Sequence, residues 1–122
     1  MSKMILVVDD LATQRAAVRF ALSSMGYEVL QAENGKEALA QLKKSTGIQL
    51  VIADLTMPIM DGLALLQTLK QDPGFQKIPV LILLLESQIP KKDQLREAGA
   101  AGWILKPFQP EQLCTVVSKL VP

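Results

Sequence analysis

Four charged residues in this sequence each follow a short apolar run. Asp9 and Asp10 follow residues 5–8, Asp54 follows residues 50–53, and Lys106 follows residues 103–105. Carboxylate oxygens are ligands that Mg²⁺ prefers, and a lysine ammonium can neutralise an anion beside them. Such chemistry requires the four side chains to meet, so it depends on the elements that carry them.

The apolar runs alternate with stretches whose apolar residues recur at helical spacing. Five runs predict strands, at residues 5–8, 29–32, 50–53, 80–85 and 103–105. Five stretches predict helices. The first has Val18, Ala21, Leu22 and Met25 at helical spacing and is closed by Gly26, and the second starts at Asn34-Gly35 with Ala38, Leu39 and Leu42 on one face. The third and fourth are predicted at 63–71 and at about 91–98, and the fifth starts at Pro110 and buries Leu113, Val116, Val117 and Leu120. This alternation predicts a doubly wound, five-stranded parallel α/β sheet with helices on both faces.

The predicted sheet would bring the four charged residues to one edge, since ligand sites of such sheets lie at the carboxyl ends of the strands. Two unit charges ~4 Å apart interact by about 4 kcal/mol at an effective dielectric near 20. Three clustered carboxylates are therefore costly unless a cation joins them. With Lys106 the cluster carries a charge of minus two, which one Mg²⁺ would neutralise.

Three of these residues also have a simpler interpretation. Asp10 could cap the first helix, Asp54 could begin a turn as Asp61-Gly62 does nearby, and Lys106 could be a solvated lysine. The functional interpretation is favoured because all four residues fall at the carboxyl ends of predicted strands, which random placement would rarely produce.

Composition excludes several classes of function. With 122 residues the chain suits one domain, and 13 Lys+Arg against 12 Asp+Glu argue against nucleic-acid or membrane-surface binding. The absence of histidine excludes catalytic triads and His-ligated metals, and there is no nucleotide-binding glycine loop. No apolar run approaches the ~18–20 residues of a membrane span, and the single Cys114, interpreted as a core residue, suits the cytoplasm.

Three segments carry a resemblance to a known family. Ile5-Leu-Val-Val-Asp-Asp10, Asp54-Leu-Thr-Met-Pro-Ile-Met-Asp-Gly62 and Lys106-Pro-Phe108 resemble the signature blocks of bacterial response-regulator receiver domains, in the family's order and separations. The resemblance covers essentially residues 1–122 and is strongest to stand-alone, chemotaxis-type (CheY-like) receivers. It implies a flavodoxin-like sheet with strand order 2-1-3-4-5.

The resemblance also implies a role for each site residue. Asp54 would accept a phosphoryl group from a histidine kinase or a histidine phosphotransfer protein, and Lys106 would pair with the phosphoryl oxygens. Asp10, Asp54 and the carbonyl of Thr56 would ligate Mg²⁺ directly, and Asp9 would do so through water. The bond before Pro107 would be cis.

Further roles that the resemblance implies concern output. The side chains of Thr56 and Glu86 would tune loss of the phosphoryl group. The face formed by the fourth helix, fifth strand and fifth helix would contact a downstream target. The protein would be a monomer or weak dimer and not an enzyme, beyond self-phosphorylation from a small phosphodonor and autodephosphorylation.

The sequence departs from the family at the end of the fourth strand. The family places Thr or Ser at position 84 and a small residue at position 85, but here these are Leu84 and Leu85. A hydrogen bond to a charged group contributes roughly 1.5–3 kcal/mol, so its loss would weaken switching about ten- to a hundredfold. Trp103, at the family's mobile aromatic position, is then either part of the switch or a packing residue.

Two alternative functions follow. The first is a pseudo-receiver that acts as a phosphorylation-independent interaction or dimerisation module, which Leu84 and Leu85 favour and the four charged residues oppose. The second is a phosphatase or flavin carrier on a similar sheet. Asp9-Asp10-Leu11 fits neither, since an aspartate-nucleophile phosphatase needs its second Asp two residues on and a flavodoxin needs a phosphate loop.

Overall fold

The computed structural model describes residues 3–122; the predicted domain also includes residues 1–2, which lie outside the described residues. Five parallel strands form one sheet in the order β2-β1-β3-β4-β5. The strands are β1 Met4–Val8, β2 Glu28–Ala32, β3 Ile48–Asp54, β4 Val80–Leu84 and β5 Gly102–Leu105. This confirms the predicted doubly wound α/β fold and its strand order.

The register of the ladders fixes which strand ends are neighbours. Val8 pairs with Ala53, so the residues after β1 lie beside the end of β3. Asp54 pairs with Leu83, and Leu84 pairs with Leu105. The carboxyl ends of β1, β3, β4 and β5 therefore share one edge.

Helices cover both faces of the sheet. They are α1 Ala12–Ser23, α2 Gly35–Lys44, α3 Gly62–Lys70, α4 Lys92–Glu97 and α5 Pro110–Leu120, with a 3₁₀ helix Glu86–Lys91 leading into α4. One core cluster packs β-sheet residues against α2, α3 and α4, through residues such as Leu42, Leu65 and Leu95. The other packs the opposite face against α1 and α5, through residues such as Leu22 and Leu113.

Local sequence explains where these helices begin and end. The side chain of Asn34 accepts the Glu37 N–H at 2.9 Å, and that of Asp61 accepts the Ala64 N–H at 2.8 Å, so each is a helix N-cap. Pro110 opens α5 in the first turn, as expected. Gly26 adopts a φ of +90°, which ends the α1 segment in a conformation that favours glycine.

Several sequence-based details were wrong. The fourth strand ends at Leu84 instead of 85, because the chain turns there into the 3₁₀ helix. The fourth helix, Lys92–Glu97, agrees with the range of about 91–98 that was predicted. Met25 lies after α1 and is exposed, so it is not on the buried face. Three residues that were expected to be buried in the core are only half-buried and pack at the edge of the second cluster: Cys114, Val116 and Leu120.

Across residues 3–122, no helix combines the length and apolar character needed to cross a membrane.

Candidate functional site

Three carboxylates meet at the edge where β1 and β3 end. Ligand oxygens of Asp9, Asp10 and Asp54 all lie within 4.8 Å of one another. Asp9 is completely buried and Asp54 is 5% exposed, whereas Asp10 is open to solvent. The cluster thus combines two charges withdrawn from water with one that solvent and an incoming molecule can reach.

Lys106 joins this cluster from the end of β5. Its Nζ lies 2.8 Å from Oδ1 of Asp54, and both side chains are largely buried. The Lys106 N–H donates to the carbonyl of Leu84 at 2.7 Å, which fixes the backbone beside β4. The peptide bond between Lys106 and Pro107 is cis, as the sequence resemblance implied.

Asp9 carries the least satisfied polar atom of the site. Its Oδ1 accepts the Leu11 N–H at 3.0 Å, while the buried Oδ2 has no hydrogen-bond partner among the described residues. Burial raises the pKa of Asp9 from 3.8 to about 6, against the opposing effect of the Leu11 N–H, with the charge of Asp54 adding to the increase. An unpartnered, buried oxygen on a residue of a carboxylate cluster is suited to a cation.

The donor set fits a hard divalent cation. Carboxylate oxygens from Asp9, Asp10 and Asp54 are oxygen ligands of the kind that Mg²⁺ takes, and a partly exposed position such as Asp10 leaves room for metal-bound water. The unpartnered Oδ2 of Asp9 is the independent sign that this edge suits a positive charge.

Asp10 does not cap α1, so that simpler interpretation was wrong. The N-cap position is Leu11, and within residues 3–122 no side chain caps this helix. Instead Asp9 receives the Leu11 N–H, and Arg15 donates to the Asp9 carbonyl at 2.6 Å and to the Gln31 side chain at 3.2 Å. Arg15 was missed by sequence reasoning, because a basic residue within a helix carries no distinctive signal.

The two leucines at the end of β4 occupy different environments. Leu84 is completely buried in the core cluster that also contains Leu95. Leu85 is 47% exposed and begins the 3₁₀ helix as its N-cap residue. Position 84 is therefore a core position without a hydroxyl, and position 85 presents an apolar side chain at the rim.

A second residue that sequence reasoning missed is Gln88. Its Oε1 accepts the Leu85 N–H at 2.8 Å, and its Nε2 donates to the Thr56 hydroxyl at 2.6 Å. Thr56 and Glu86 are both exposed, Thr56 after β3 and Glu86 at the start of the 3₁₀ helix. The sequence carries no clear signal for these contacts, since a capping box has Ser or Thr at the N-cap position and this chain has Leu85 there.

Trp103 lies on β5 and is half-buried against the core cluster that includes Leu84. The guanidinium carbon of Arg96 on α4 stands 5.4 Å from the centre of the indole ring, within cation–π range. Arg96 also pairs with Asp93 at 2.9 Å. Trp103 thus touches both the core behind position 84 and the exposed helix α4.

Known proteins resemble this chain in sequence and in fold. Residues 5–118 match the family model described as the response regulator receiver domain. Chemotaxis protein CheY1 of Helicobacter pylori is 37% identical over 110 residues, which cover 89% of each chain. Two-component response regulator ORR11 of Oryza sativa subsp. indica is 31% identical over 118 residues, covering 97% of this chain and 80% of that protein. The structure of the chemotaxis response regulator CheY4 of Vibrio cholerae aligns with a TM-score of 0.90 at 33% identity, covering 98% of this chain and 99% of that one.

Proposed function

Since the chain belongs to the response regulator receiver domain family of two-component systems, we propose that residues 1–122 act as one receiver that takes up a phosphoryl group on Asp54. The donor is the phosphohistidine of a histidine kinase or of a histidine phosphotransfer protein. The observation that carries the proposal is the 2.8 Å contact between Lys106 Nζ and Asp54 Oδ1 inside an acidic cluster. An ammonium held against one particular carboxylate is ready to neutralise an anion formed there.

The proposed reaction is one in-line displacement. The Asp54 carboxylate attacks phosphorus, a P–O bond forms as the P–N bond to the donor imidazole breaks, and the leaving imidazole nitrogen takes the electron pair and then a proton. Phosphoryl transfer asks the protein mainly for positioning and for charge neutralisation. Lys106 supplies a positive charge next to the attacking group, and burial of Asp54 strengthens that interaction.

Residues Asp9, Asp10 and Asp54, with the backbone carbonyl of Thr56, would hold Mg²⁺, with Asp9 acting through water. When bound, this ion supplies neutralisation of the phosphoryl oxygens and of the carboxylates themselves. The buried Oδ2 of Asp9, without a partner among residues 3–122, supports this assignment. Asp10 contributes the exposed ligand, through which the ion can enter.

The phosphorylated domain would act as a signal and not as a classical enzyme. We propose that its α4-β5-α5 face contacts a downstream protein, that it works in the cytoplasm, and that it is a monomer or weak dimer. Contact between Arg96 on α4 and Trp103 on β5 supports this output face, since it links the surface to the core behind Leu84. Thr56 and Glu86 are exposed two residues past Asp54 and Leu84, and we propose that they tune attack of water on the phosphoryl group.

Labelling with acetyl phosphate and Mg²⁺, followed by intact-mass and peptide mass spectrometry, tests the proposal. We expect one phosphoryl group, on Asp54, and none in Asp54→Asn. Asp72→Asn is the matched control, because Asp72 is remote from the cluster and an asparagine still accepts the Gly74 N–H at this position. Both the control and the unmodified protein should label alike.

Leu84 and Leu85 favour a second candidate, the pseudo-receiver that binds its partner or dimerises without phosphorylation. Absence of labelling, under conditions that label ordinary receivers, would favour this candidate. Its further signature is an oligomeric state or partner affinity that Asp54→Asn leaves unchanged, as measured by analytical ultracentrifugation or titration calorimetry.

A further inference from the structure

One glutamine side chain joins the two loops that flank the proposed phosphorylation site. Gln88 lies in the 3₁₀ helix after β4, and its carboxamide bonds at both ends. The oxygen accepts the N–H of Leu85 at 2.8 Å, and the nitrogen donates to the hydroxyl of Thr56 at 2.6 Å. The second bond spans 32 positions of sequence, so it is a tertiary link between β4 and β3.

This link crosses the sheet edge just beyond Asp54. Asp54 pairs with Leu83 at the end of the β3–β4 ladder, and the Leu55 N–H donates to the Leu83 carbonyl at 3.1 Å. Thr56 and Leu85 each lie two residues past that last pair. Gln88 therefore places an amide N–H donor along the edge where a group attached to Asp54 would project.

A donor is needed at this edge because residue 84 cannot supply one. Leu84 has no hydroxyl, and its side chain is completely buried. A phosphoryl group adds three strong acceptor oxygens. Of the side chains of Thr56, Leu85 and Gln88, only that of Gln88 carries N–H groups that could donate to the phosphoryl oxygens.

We propose that Gln88 is a positioning residue that acts as the polar element of the switch in place of a hydroxyl at position 84. Its Oε1 stays on the Leu85 N–H as a pivot, while its Nε2–H moves from the Thr56 hydroxyl to a phosphoryl oxygen on Asp54. The inference rests on the proposed function, because it concerns the phosphorylated state of the same site. Its consequence is that Thr56 and the phosphoryl group compete for one donor.

The fold offers a route from Gln88 to the output face. The 3₁₀ helix Glu86–Lys91 runs directly into α4, and Arg96 on α4 lies over the ring of Trp103. A displacement of Gln88 would shift the start of α4 and so change the environment of the indole. Trp103 is the one tryptophan of the chain, so tryptophan fluorescence reports on the surroundings of this ring.

Two isosteric variants test the competition, because they should act in opposite directions. Gln88→Glu keeps an oxygen for the Leu85 N–H but replaces the donating NH₂ with an anionic oxygen. Thr56→Val removes the competing hydroxyl while preserving shape and backbone. Gln94→Glu is the control, since it makes the same chemical change at an exposed position on α4.

Trp103 fluorescence is titrated with beryllofluoride, a phosphoryl mimic, in saturating Mg²⁺, with the melting temperature of each variant measured in parallel. We expect the midpoint to rise about tenfold or more in Gln88→Glu, as loss of a hydrogen bond to a charged group requires. In Thr56→Val it should fall several-fold, and in Gln94→Glu it should stay within about twofold. A purely structural role for the link would shift the Gln88 and Thr56 variants in the same direction.

Failure of this inference is distinguishable from failure of the proposed function. Shifts in the same direction, or midpoints within twofold of the unmodified protein in both variants, overturn the role of Gln88 while labelling of Asp54 keeps the proposed function intact. If the unmodified protein neither labels on Asp54 nor responds to beryllofluoride, both the function and the inference are overturned.

Discussion

Lys106 Nζ lies 2.8 Å from Asp54 Oδ1, and the two side chains retain only 14% and 7% of their exposure. Lys106 directly follows β5 and Asp54 ends β3, and these two strands are separated in the sheet by β4. The contact therefore spans the sheet edge and depends on the correct register of three strands. Because Asp9 and Asp10 crowd the same carboxylate, the ammonium also offsets their repulsion.

Replacement of Lys106 by methionine should destabilise the protein by about 3 kcal/mol, because it leaves the buried Asp54 charge without its partner. It should also slow labelling of Asp54. The double variant Lys106→Met with Asp54→Asn should recover most of the lost stability, since both charges are then absent. Urea unfolding in the presence of a chelator measures the free energy of unfolding of the four proteins in this double-mutant cycle: the unmodified protein, the two single variants and the double variant. Additive losses in the double variant would show that the contact contributes no coupling.

The pKa of Asp9 predicts a pH dependence of stability. Burial raises this pKa from 3.8 to about 6, so between these values the folded protein holds a proton that the unfolded chain releases. The free energy of unfolding should therefore fall as pH rises through this window, by about 2–3 kcal/mol in total. Above pH 6 the full cost of the buried charge is present.

Asp9→Asn should remove this dependence while its oxygen still accepts the Leu11 N–H. We expect the variant to exceed the unmodified protein by about 2 kcal/mol at pH 7.5 and to match it near pH 4. Mg²⁺ should raise the stability of the unmodified protein more than that of the variant. Parallel pH profiles of the two proteins, measured by urea unfolding without metal, would contradict this account of Asp9.

Sequence alone predicts the strands and the neighbourhood of the charged residues, because a continuous apolar run identifies a central strand and parallel topology brings strand ends together. It does not predict where such a run ends. Leu83, Leu84 and Leu85 look alike in sequence, yet the third is half exposed because Gln88 caps a 3₁₀ helix there. The link from Gln88 to Thr56 is equally hidden, since it depends on side-chain conformation in two loops far apart in sequence.

The backbone conformation of Ile59 could not be predicted from the sequence either. It has a φ of 69° and is 77% exposed in the loop between β3 and α3. A β-branched residue in the left-handed region is strained, whereas asparagine tolerates that conformation. Ile59→Asn should therefore stabilise the protein by about 1 kcal/mol. Ile59→Val, which keeps the branched Cβ, should change stability little, and an equal gain from both variants in thermal unfolding would contradict the role of strain.

The final prediction concerns Leu84 and Leu85. We expect the unmodified protein to label slowly, because the Leu85 side chain crowds the approach to Asp54 at the end of β4. Leu85→Ala should therefore speed labelling. If Leu85 were buried in the strand, as the sequence predicts, its replacement by alanine would lower the free energy of unfolding by about 2–5 kcal/mol. Because Leu85 is 47% exposed, we expect a loss of about 1 kcal/mol.

Leu84→Thr should enlarge the Trp103 response to beryllofluoride, because it adds a hydroxyl donor beside the phosphoryl position. It should also lower stability by about 2–3 kcal/mol, since Leu84 is completely buried. Leu83→Thr is the matched control, because Leu83 is equally buried but belongs to the opposite core cluster. This variant should lose similar stability, but its new hydroxyl lies on the other face of the sheet and should not enlarge the Trp103 response. In a Gln88→Glu background, Leu84→Thr should restore part of the lost response. If the unmodified protein labels as fast as the Leu84→Thr, Leu85→Ala double variant and its Trp103 responds as fully, neither leucine limits the switch and this explanation of the two positions is wrong.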